Sequence, residues 1–330
     1  TYVILIPLTV YYFRGVDLKK SMIYVGVFVV AILVVFGVKR GLLDPQVTRE
    51  KMFFENPLYL ADSFAERIPM FFYSIMFYVK MMFYPFPLLY YYGYDQIEIA
   101  GWDNVYVWLG VVFVIGGLVM ALKDLKKKSV WSFGFLYFMF GVGGAANLLF
   151  PAVGIVAERF AFTASLGMII PLAFYLVKIY EHNKKGSVRF AFYGVGGAIT
   201  VLTFFQITER NEVWESKFIL YKHDSDYLQK SAKAHSLLGT EYTEAANMEL
   251  TKPNYSYDVY MAFVDSAIVE FEHGVKVYDG YYSCANNAGA LYYLKKQNHY
   301  KAKSLFLNSI SHKPEYTEGL YNLGNCYFEE

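Results

Sequence analysis

The chain has 330 residues and a formal net charge of +1 at pH 7, and 56% of its residues are hydrophobic. This near-neutral balance argues against nucleic-acid binding, which requires a basic patch or stripe. The apolar residues are concentrated in residues 1–208, where long apolar runs alternate with short charged loops, whereas residues 209–330 have the composition of a soluble protein. We therefore predict an all-α chain with a polytopic transmembrane helix bundle followed by a soluble domain.

Five apolar runs are long enough to cross a membrane, because about 20 helical residues span the roughly 30 Å of hydrocarbon. They cover residues 21–38, 104–122, 129–150, 160–177 and 190–208, and residues 1–13 read as the end of another such helix. Since the chain begins inside an apolar run and ends inside a repeat, we expect further sequence on both sides.

Loop charge predicts the orientation of these spans. Three short loops are basic and are expected in the cytoplasm under the positive-inside rule. They carry Arg14, Lys19 and Lys20; Lys123, Lys126, Lys127 and Lys128; and Lys184, Lys185 and Arg189. The loop at residues 93–103 holds Asp95, Glu98 and Asp103 without a basic residue, so we place it outside.

The segment at residues 68–92 is apolar but carries Lys80 near its middle and has Pro69, Pro85 and Pro87 around it. If it crossed the membrane fully, the Lys126–Lys128 loop would lie outside. We therefore predict that residues 39–103 are extracytoplasmic and contain a re-entrant or interfacial segment. Irregular backbone at membrane depth must then face protein or water. The same count places the soluble region, from Glu209 onwards, outside the cytoplasm.

The soluble region is predicted to be a linker at residues 209–230 followed by tetratricopeptide repeats at residues 231–330, which form an α-solenoid. Gly289 and Gly324 occur in matching contexts and set the period of the repeat, while an insertion at residues 243–258 interrupts the first unit. Such repeats predict a surface that binds a protein or peptide. Cys284 and Cys326 are expected to be small buried side chains. Without a CxxC, HExxH or clustered-His pattern, no metal site is predicted.

Glu158 and Arg159 form an adjacent acid and base at the joint between two uncharged apolar runs. Ionisable groups near lipid are costly and often functional. Arg159, Arg67 and Lys80 are therefore candidates to bind a phosphate, although salt bridging or snorkelling would also explain each of them. Further candidates are Glu158, Glu55 and Asn56 for sugar or lipid-phosphate binding, with a loop cap as the alternative for the last two. Arg210, Asn211 and Trp214 are candidates to anchor the linker at the membrane face.

Several short motifs, taken in order, resemble those of the transmembrane and tetratricopeptide-repeat O-mannosyltransferases. Each motif is short, and their order along nearly the whole chain carries the resemblance. The motifs are Phe54–Pro57, Arg67, Tyr78–Lys80, Pro85, Asp95, Val156–Arg159, Ser165–Gly167, Glu209–Asn211, Trp214 and Lys233–Gly239.

The resemblance implies a membrane glycosyltransferase of the GT-C class. Such an enzyme would transfer a hexose, with mannose expected, from a polyprenyl phosphate to Ser or Thr hydroxyls of an acceptor protein outside the cytoplasm. In this class the catalytic acid lies in an earlier loop, so we expect it upstream of this chain and assign no catalytic residue here. The implied partners are membrane lipid and an acceptor protein held by the repeats. The implied location is a bacterial inner membrane or, in a eukaryote, the endoplasmic reticulum.

Two other functions remain open. The chain could be a non-catalytic membrane scaffold that displays repeats for protein assembly, or a ligase or polymerase of lipid-linked oligosaccharides. The sequence identifies no cofactor besides the lipid-linked sugar substrate, and it leaves a requirement for a divalent metal open.

Overall fold

The computed structural model describes residues 2–42, 52–61, 63–183 and 185–329. Within these ranges the chain is all-helical, which confirms the predicted fold class. The chain forms two compact units. One comprises residues 1–88 and 99–202, and the other comprises residues 89–98 and 203–330. The first unit holds most of the apolar helices, and the second holds the predicted repeats together with a short segment from the 39–103 loop.

The first unit is built from six helices and most of a seventh. They are α1 (Tyr2–Phe13), α2 (Leu18–Leu42), α3 (Arg67–Phe83), α4 (Val105–Lys123), α5 (Val130–Gly143), α6 (Glu158–His182) and α7 (Gly186–Val213). By length and composition, four of them could cross a membrane: α2 over Lys19–Val38, then α4, α6 and α7. Few side chains of these helices are buried, and their exposed apolar surfaces fit a membrane protein.

Glycine residues allow the helices of this unit to pack closely. A Cβ on Gly134 of α5 would lie 2.1 Å from Pro171 of α6, and one on Gly141 would lie 2.6 Å from Ala164, so α5 and α6 are antiparallel. A Cβ on Gly117 of α4 would similarly lie 2.1 Å from the ring of Phe135 in α5. Small residues at helix interfaces let backbones approach in this way in membrane proteins.

The predicted span at residues 129–150 is shorter in the structure. Helix α5 has 14 residues, about 21 Å, and ends at Gly143. Gly143 and Gly144 are weak helix formers, and Asn147 adopts a positive φ of 63°, which is incompatible with an α-helix. Residues 144–157 are therefore an irregular segment, which we call the Asn147 loop.

Helix α3 differs from the interrupted segment expected at residues 68–92. It is one uninterrupted helix of 17 residues, with Pro69 in its first turn and Pro85 beyond its end. Proline is tolerated in the first turn because the backbone N–H groups there have no partner within the helix. One face, which includes Ser74 and Tyr78, is fully buried, whereas Lys80 is exposed.

The second unit continues from the end of α7 through α8 (Lys217–Asp224) into helix pairs. These are α9 (Ala232–Leu250) with α10 (Tyr257–Val277), then α11 (Tyr282–Leu294) with α12 (His299–His312), followed by α13 (Thr317–Glu329). The predicted linker at 209–230 is thus largely helical. The insertion predicted at residues 243–258 mostly lengthens α9 and α10.

Two equivalent close contacts mark the repeats. A Cβ on Gly239 of α9 would lie 2.9 Å from Phe271 of α10, and one on Gly289 of α11 would lie 2.7 Å from Phe306 of α12. In each pair, a glycine on the first helix accommodates a phenylalanine of the second. This shared packing supports the equivalence of the two helix pairs.

Candidate functional site

The Asn147 loop is held against α3 by one buried asparagine. The Asn147 side chain has no exposed surface and forms four hydrogen bonds. Its Nδ2 donates to Ser74 Oγ at 3.2 Å and to the carbonyl of Ile155 at 2.6 Å. Its Oδ1 accepts from the backbone N–H of Ala152 at 2.9 Å and from Asn56 Nδ2 at 3.0 Å. Two donors and two acceptor positions exhaust the capacity of an amide, so Asn147 fixes the loop.

Asn56 takes part in the same network. Its Nδ2 also donates to the carbonyl of Ala152 at 2.8 Å, and its Oδ1 accepts from the N–H of Leu58 at 3.0 Å, which caps the short helix that follows. Because both amide hydrogens bond to protein, the structure gives Asn56 a positioning role. The neighbouring Glu55 is also buried, with 3% of its surface exposed.

The Asn147 loop leads into the first turn of α6 beside α3. The backbone N–H of Ala157 donates to Tyr78 Oη at 3.4 Å, and Tyr78 is fully buried. Glu158 and Arg159 follow immediately as the first two residues of α6. We call Tyr78 and residues 157–160 the α3–α6 corner. The sequence placed Glu158 and Arg159 at a joint between apolar runs, and the structure adds the α3 side chain against which that joint packs.

The exposed side of the α3–α6 corner carries a cation, Arg159, next to the carboxylate of Glu158. Arg159 is exposed, and its guanidinium lies 4.9 Å from the centre of the Phe160 ring. The N-terminus of a long helix carries a partial positive charge. Lys80 is also exposed and lies one turn before the end of α3, with its Nζ 5.9 Å from the centre of the Tyr84 ring. It follows Tyr78 by two residues, or about 200° around the helix, so it does not share the face that packs on α6. At the corner itself, Arg159 and the N-terminus of α6 are the features that favour an anion.

Arg67 lies at the opposite end of α3. Thirteen residues separate it from Lys80, or about 20 Å along a helix, so the two side chains cannot hold the same phosphate. Its Nη1 makes a long contact of 3.5 Å with the carbonyl of Leu149 in the Asn147 loop. Its Nε is buried and has no hydrogen-bond partner among the residues that the structure describes. The three predicted cations therefore do not share one place, because Arg67 and Lys80 lie at opposite ends of α3.

An apolar cavity of about 270 Å³ lies between α3, α5 and α6. Its walls include Phe83 at the end of α3, Trp131 at the start of α5, and the middle of α6 from Gly167 to Tyr175. Lys80 is three residues before Phe83 and therefore shares its side of the helix. No sequence pattern indicated this cavity.

Arg210, which is predicted to anchor the linker at the membrane face, forms a buried ion pair. Its guanidinium forms a two-pronged ion pair with Asp224, with Nη1–Oδ1 at 2.7 Å and Nη2–Oδ2 at 3.1 Å. The Asp224 side chain is fully buried and that of Arg210 is 14% exposed. Asp224 also accepts the backbone N–H of Tyr90 at 2.9 Å. This pair therefore joins the end of α7, α8 and the 89–98 segment within the second unit.

The other two linker candidates lie on the surface. Trp214 is exposed, and the Arg210 guanidinium is 5.8 Å from the centre of its ring. Asn211 is exposed as well, and its carbonyl accepts the backbone N–H of Trp214 at 3.1 Å. Sequence reasoning missed Asp224, which stands in a mixed polar stretch without any distinctive signal. It also missed Asn147, although a lone amide in a long uncharged run was a usable signal.

Two curated proteins are similar to the chain. Protein O-mannosyl-transferase TMTC1 of Mus musculus is 25% identical over 247 residues, which is 72% of this chain and 24% of the relative. Protein O-mannosyl-transferase TMTC1 of Homo sapiens is 26% identical over 228 residues, which is 66% of this chain and 24% of the relative.

The chain is a distant relative of these transferases. It spans about a quarter of the length of the curated relatives it matches. No protein-family model matches the chain, and no solved structure matches it. The similarity supports the suspected resemblance and, at most, a glycosyltransferase-like role.

Proposed function

We propose that the chain is part of an integral membrane glycosyltransferase that moves a hexose from a polyprenyl phosphate to Ser or Thr hydroxyls of an acceptor protein. The observation that carries this proposal is the α3–α6 corner, where exposed Arg159 and the N-terminus of α6 lie beside α3. The distant likeness to two O-mannosyl-transferases gives the reaction class. Mannose is the hexose we propose.

The lipid-linked donor would use both features of the first unit. Part of its hydrocarbon chain would enter the apolar cavity between α3, α5 and α6. Its phosphate would lie towards Arg159 at the start of α6, where a cation stabilises the charge that develops on the departing phosphate. The acceptor hydroxyl would lose its proton to a carboxylate supplied from outside this chain, as the family resemblance implies.

Arg159→Ala is expected to lower the rate of sugar transfer by about 100-fold or more, because it removes a cation from the leaving phosphate. The rate is measured with a defined polyprenyl-phosphate mannose and an acceptor peptide, in membranes containing the full-length protein. Arg189→Ala is the matched control, since Arg189 also lies over an aromatic ring but at the start of α7. Near-normal transfer by Arg159→Ala would remove Arg159 from the site.

The same assay separates the alternative functions. A scaffold would show no transfer with any donor, although its repeats would still bind partners. A ligase would use a diphosphate-linked oligosaccharide and reject the monophosphate-linked hexose. Transfer of a single mannose from the monophosphate to Ser or Thr is the result that the proposed function requires.

We also propose that the 89–98 segment and the repeats share the extracytoplasmic face. The 89–98 segment packs within the second unit through the Tyr90–Asp224 hydrogen bond, so the two must lie on one side of the membrane. Helices α4, α5 and α6 are antiparallel to their neighbours. If α7 reverses direction again, the basic loops at residues 124–129 and 183–189 would lie together on the other side. The positive-inside rule makes that other side the cytoplasm.

Labelling of single introduced cysteines tests this orientation. A membrane-impermeant maleimide added to sealed cells or right-side-out vesicles is expected to modify Glu98→Cys and to leave Lys127→Cys unmodified until the membrane is opened. Both positions are exposed. Natural Cys284 and Cys326 are buried, and burial raises the pKa of the Cys284 thiol to about 12, so their background reaction is slow. Equal labelling at the two positions would contradict the orientation.

A further inference from the structure

Three potential metal ligands meet between the first two repeat helices. His235 lies on α9, and Glu270 and His273 lie on α10. Each side chain offers one ligand atom, and these atoms lie within 4.8 Å of one another. Glu270 and His273 are three residues apart and so share one face of their helix. Two histidines and a carboxylate from two facing helices form a donor set typical of zinc.

One hydrogen bond defines which nitrogen of His235 faces the cluster. Its Nε2 lies 3.0 Å from the carbonyl oxygen of Gln229, and a carbonyl can only accept, so Nε2 carries a hydrogen. The other nitrogen, Nδ1, donates a hydrogen bond to Glu270 Oε2 at 2.7 Å, since a carboxylate oxygen accepts, and a bound cation would replace that proton. A histidine that donates one ring N–H to a backbone carbonyl and turns the other nitrogen to a shared centre has the arrangement of a metal ligand.

A largely buried carboxylate, Glu270, favours a positively charged partner at this place. The side chains of His235 and Glu270 are 5% and 19% exposed, whereas His273 lies at the surface. The ring centres of His235 and His273 are 5.4 Å apart, with the ring planes at 75°. Two ligands are therefore held within the protein, and the third can rotate towards them from outside. The outer side leaves a fourth position for water.

We propose that His235 Nδ1, Glu270 and His273 bind one divalent cation of the zinc class. With ligand bonds of about 2.0–2.1 Å and tetrahedral angles, Nδ1 and the carboxylate oxygen would move apart to about 3.3 Å. This is a shift of roughly half an ångström for side chains on two helices. The cation would cross-link α9 to α10 in the first repeat pair, where the 35-residue separation of His235 and Glu270 hid the site from sequence patterns. This inference does not depend on sugar transfer.

The test is a cobalt titration of the metal-stripped chain, purified in detergent, with CoCl₂ alone as the probe. One equivalent is expected to produce the visible absorption of tetrahedral Co²⁺, and ZnCl₂ is expected to displace it. His273→Ala and Glu270→Gln should weaken binding by about 10- to 100-fold or more. His273 is exposed, so its replacement leaves the fold intact.

His312→Ala is the matched control, because His312 also faces a carboxylate, that of Asp279 at 3.5 Å, but belongs to no such triplet among the described residues. It should keep full affinity. A second readout is the melting temperature, which ZnCl₂ should raise in the parent chain and in the control but not in His273→Ala. Absence of saturable binding by the parent chain, or full affinity in His273→Ala, would overturn the proposal and leave only a His235–Glu270 ion pair.

Discussion

Replacement of Asp224 by alanine is expected to lower the free energy of unfolding of the second unit by about 3–5 kcal/mol. The substitution leaves the Arg210 guanidinium largely buried without its two-pronged partner. It also removes the acceptor of the Tyr90 backbone N–H. Removing one member of a buried ion pair is costly because the remaining charge stays out of water. The 89–98 segment should therefore be less protected from hydrogen exchange and proteolysis as well.

Thermal unfolding of the purified chain measures the first effect, and hydrogen exchange or limited proteolysis of residues 89–98 measures the second. Asp226→Ala is the control, since it removes an exposed carboxylate two residues away. We expect this control to change stability by less than about 0.5 kcal/mol. An Asp224→Ala chain that melts like the parent and still protects residues 89–98 would show that this pair does not hold the segment.

Asn147→Ala should be comparably damaging to the first unit, at about 3–5 kcal/mol. The change removes four hydrogen bonds at once and leaves buried groups of Asn56, Ala152 and Ile155 without that partner. Each buried polar group that loses its partner costs about 1–3 kcal/mol. Alanine also tolerates the positive φ of this position less well than asparagine does. We therefore expect a lower yield of monodisperse protein and faster hydrogen exchange across the Asn147 loop.

Leu149→Ala is the control for this prediction, because Leu149 belongs to the same loop but is 61% exposed. It should behave like the parent chain in size-exclusion chromatography and in melting. Asn147→Asp adds a second comparison, since aspartate preserves the size of the side chain but cannot donate as a carboxylate to Ser74 and Ile155. If Asn147→Ala melts within a degree or two of the parent chain, the network is not what fixes the loop.

The local sequence pattern was sufficient to predict most of the helices of the first unit. Apolar runs of about 20 residues predict α2, α4, α6 and α7, because the helical rise per residue and the thickness of the hydrocarbon layer are both nearly constant. The repeated glycine context at Gly289 predicted the close helix pairing seen against Phe306. The predicted end of α5 was wrong, because the apolar run continues to residue 150 whereas the helix ends at Gly143. Glycine and asparagine end a helix without lowering hydropathy enough to reveal it.

The candidate site was predicted only in part. Glu158 and Arg159 stood out because charge beside long apolar runs is costly. The sequence could not show that Arg67 and Lys80 lie at opposite ends of one helix, since that required knowing that α3 is uninterrupted. Nor could the sequence show that Asn56 donates both of its amide hydrogens to the Asn147 loop.

The sequence alone determined that this chain is helical and rich in candidate membrane spans, because periodicity and hydropathy act over neighbouring residues. Tertiary structure alone decided which polar groups meet. Asn147 with Asn56, Asp224 with Tyr90, and His235 with Glu270 are each brought together from distant positions in the chain. Their pairing depends on the register in which the helices and loops pack, and the cost of burying an unpaired polar group then selects that register.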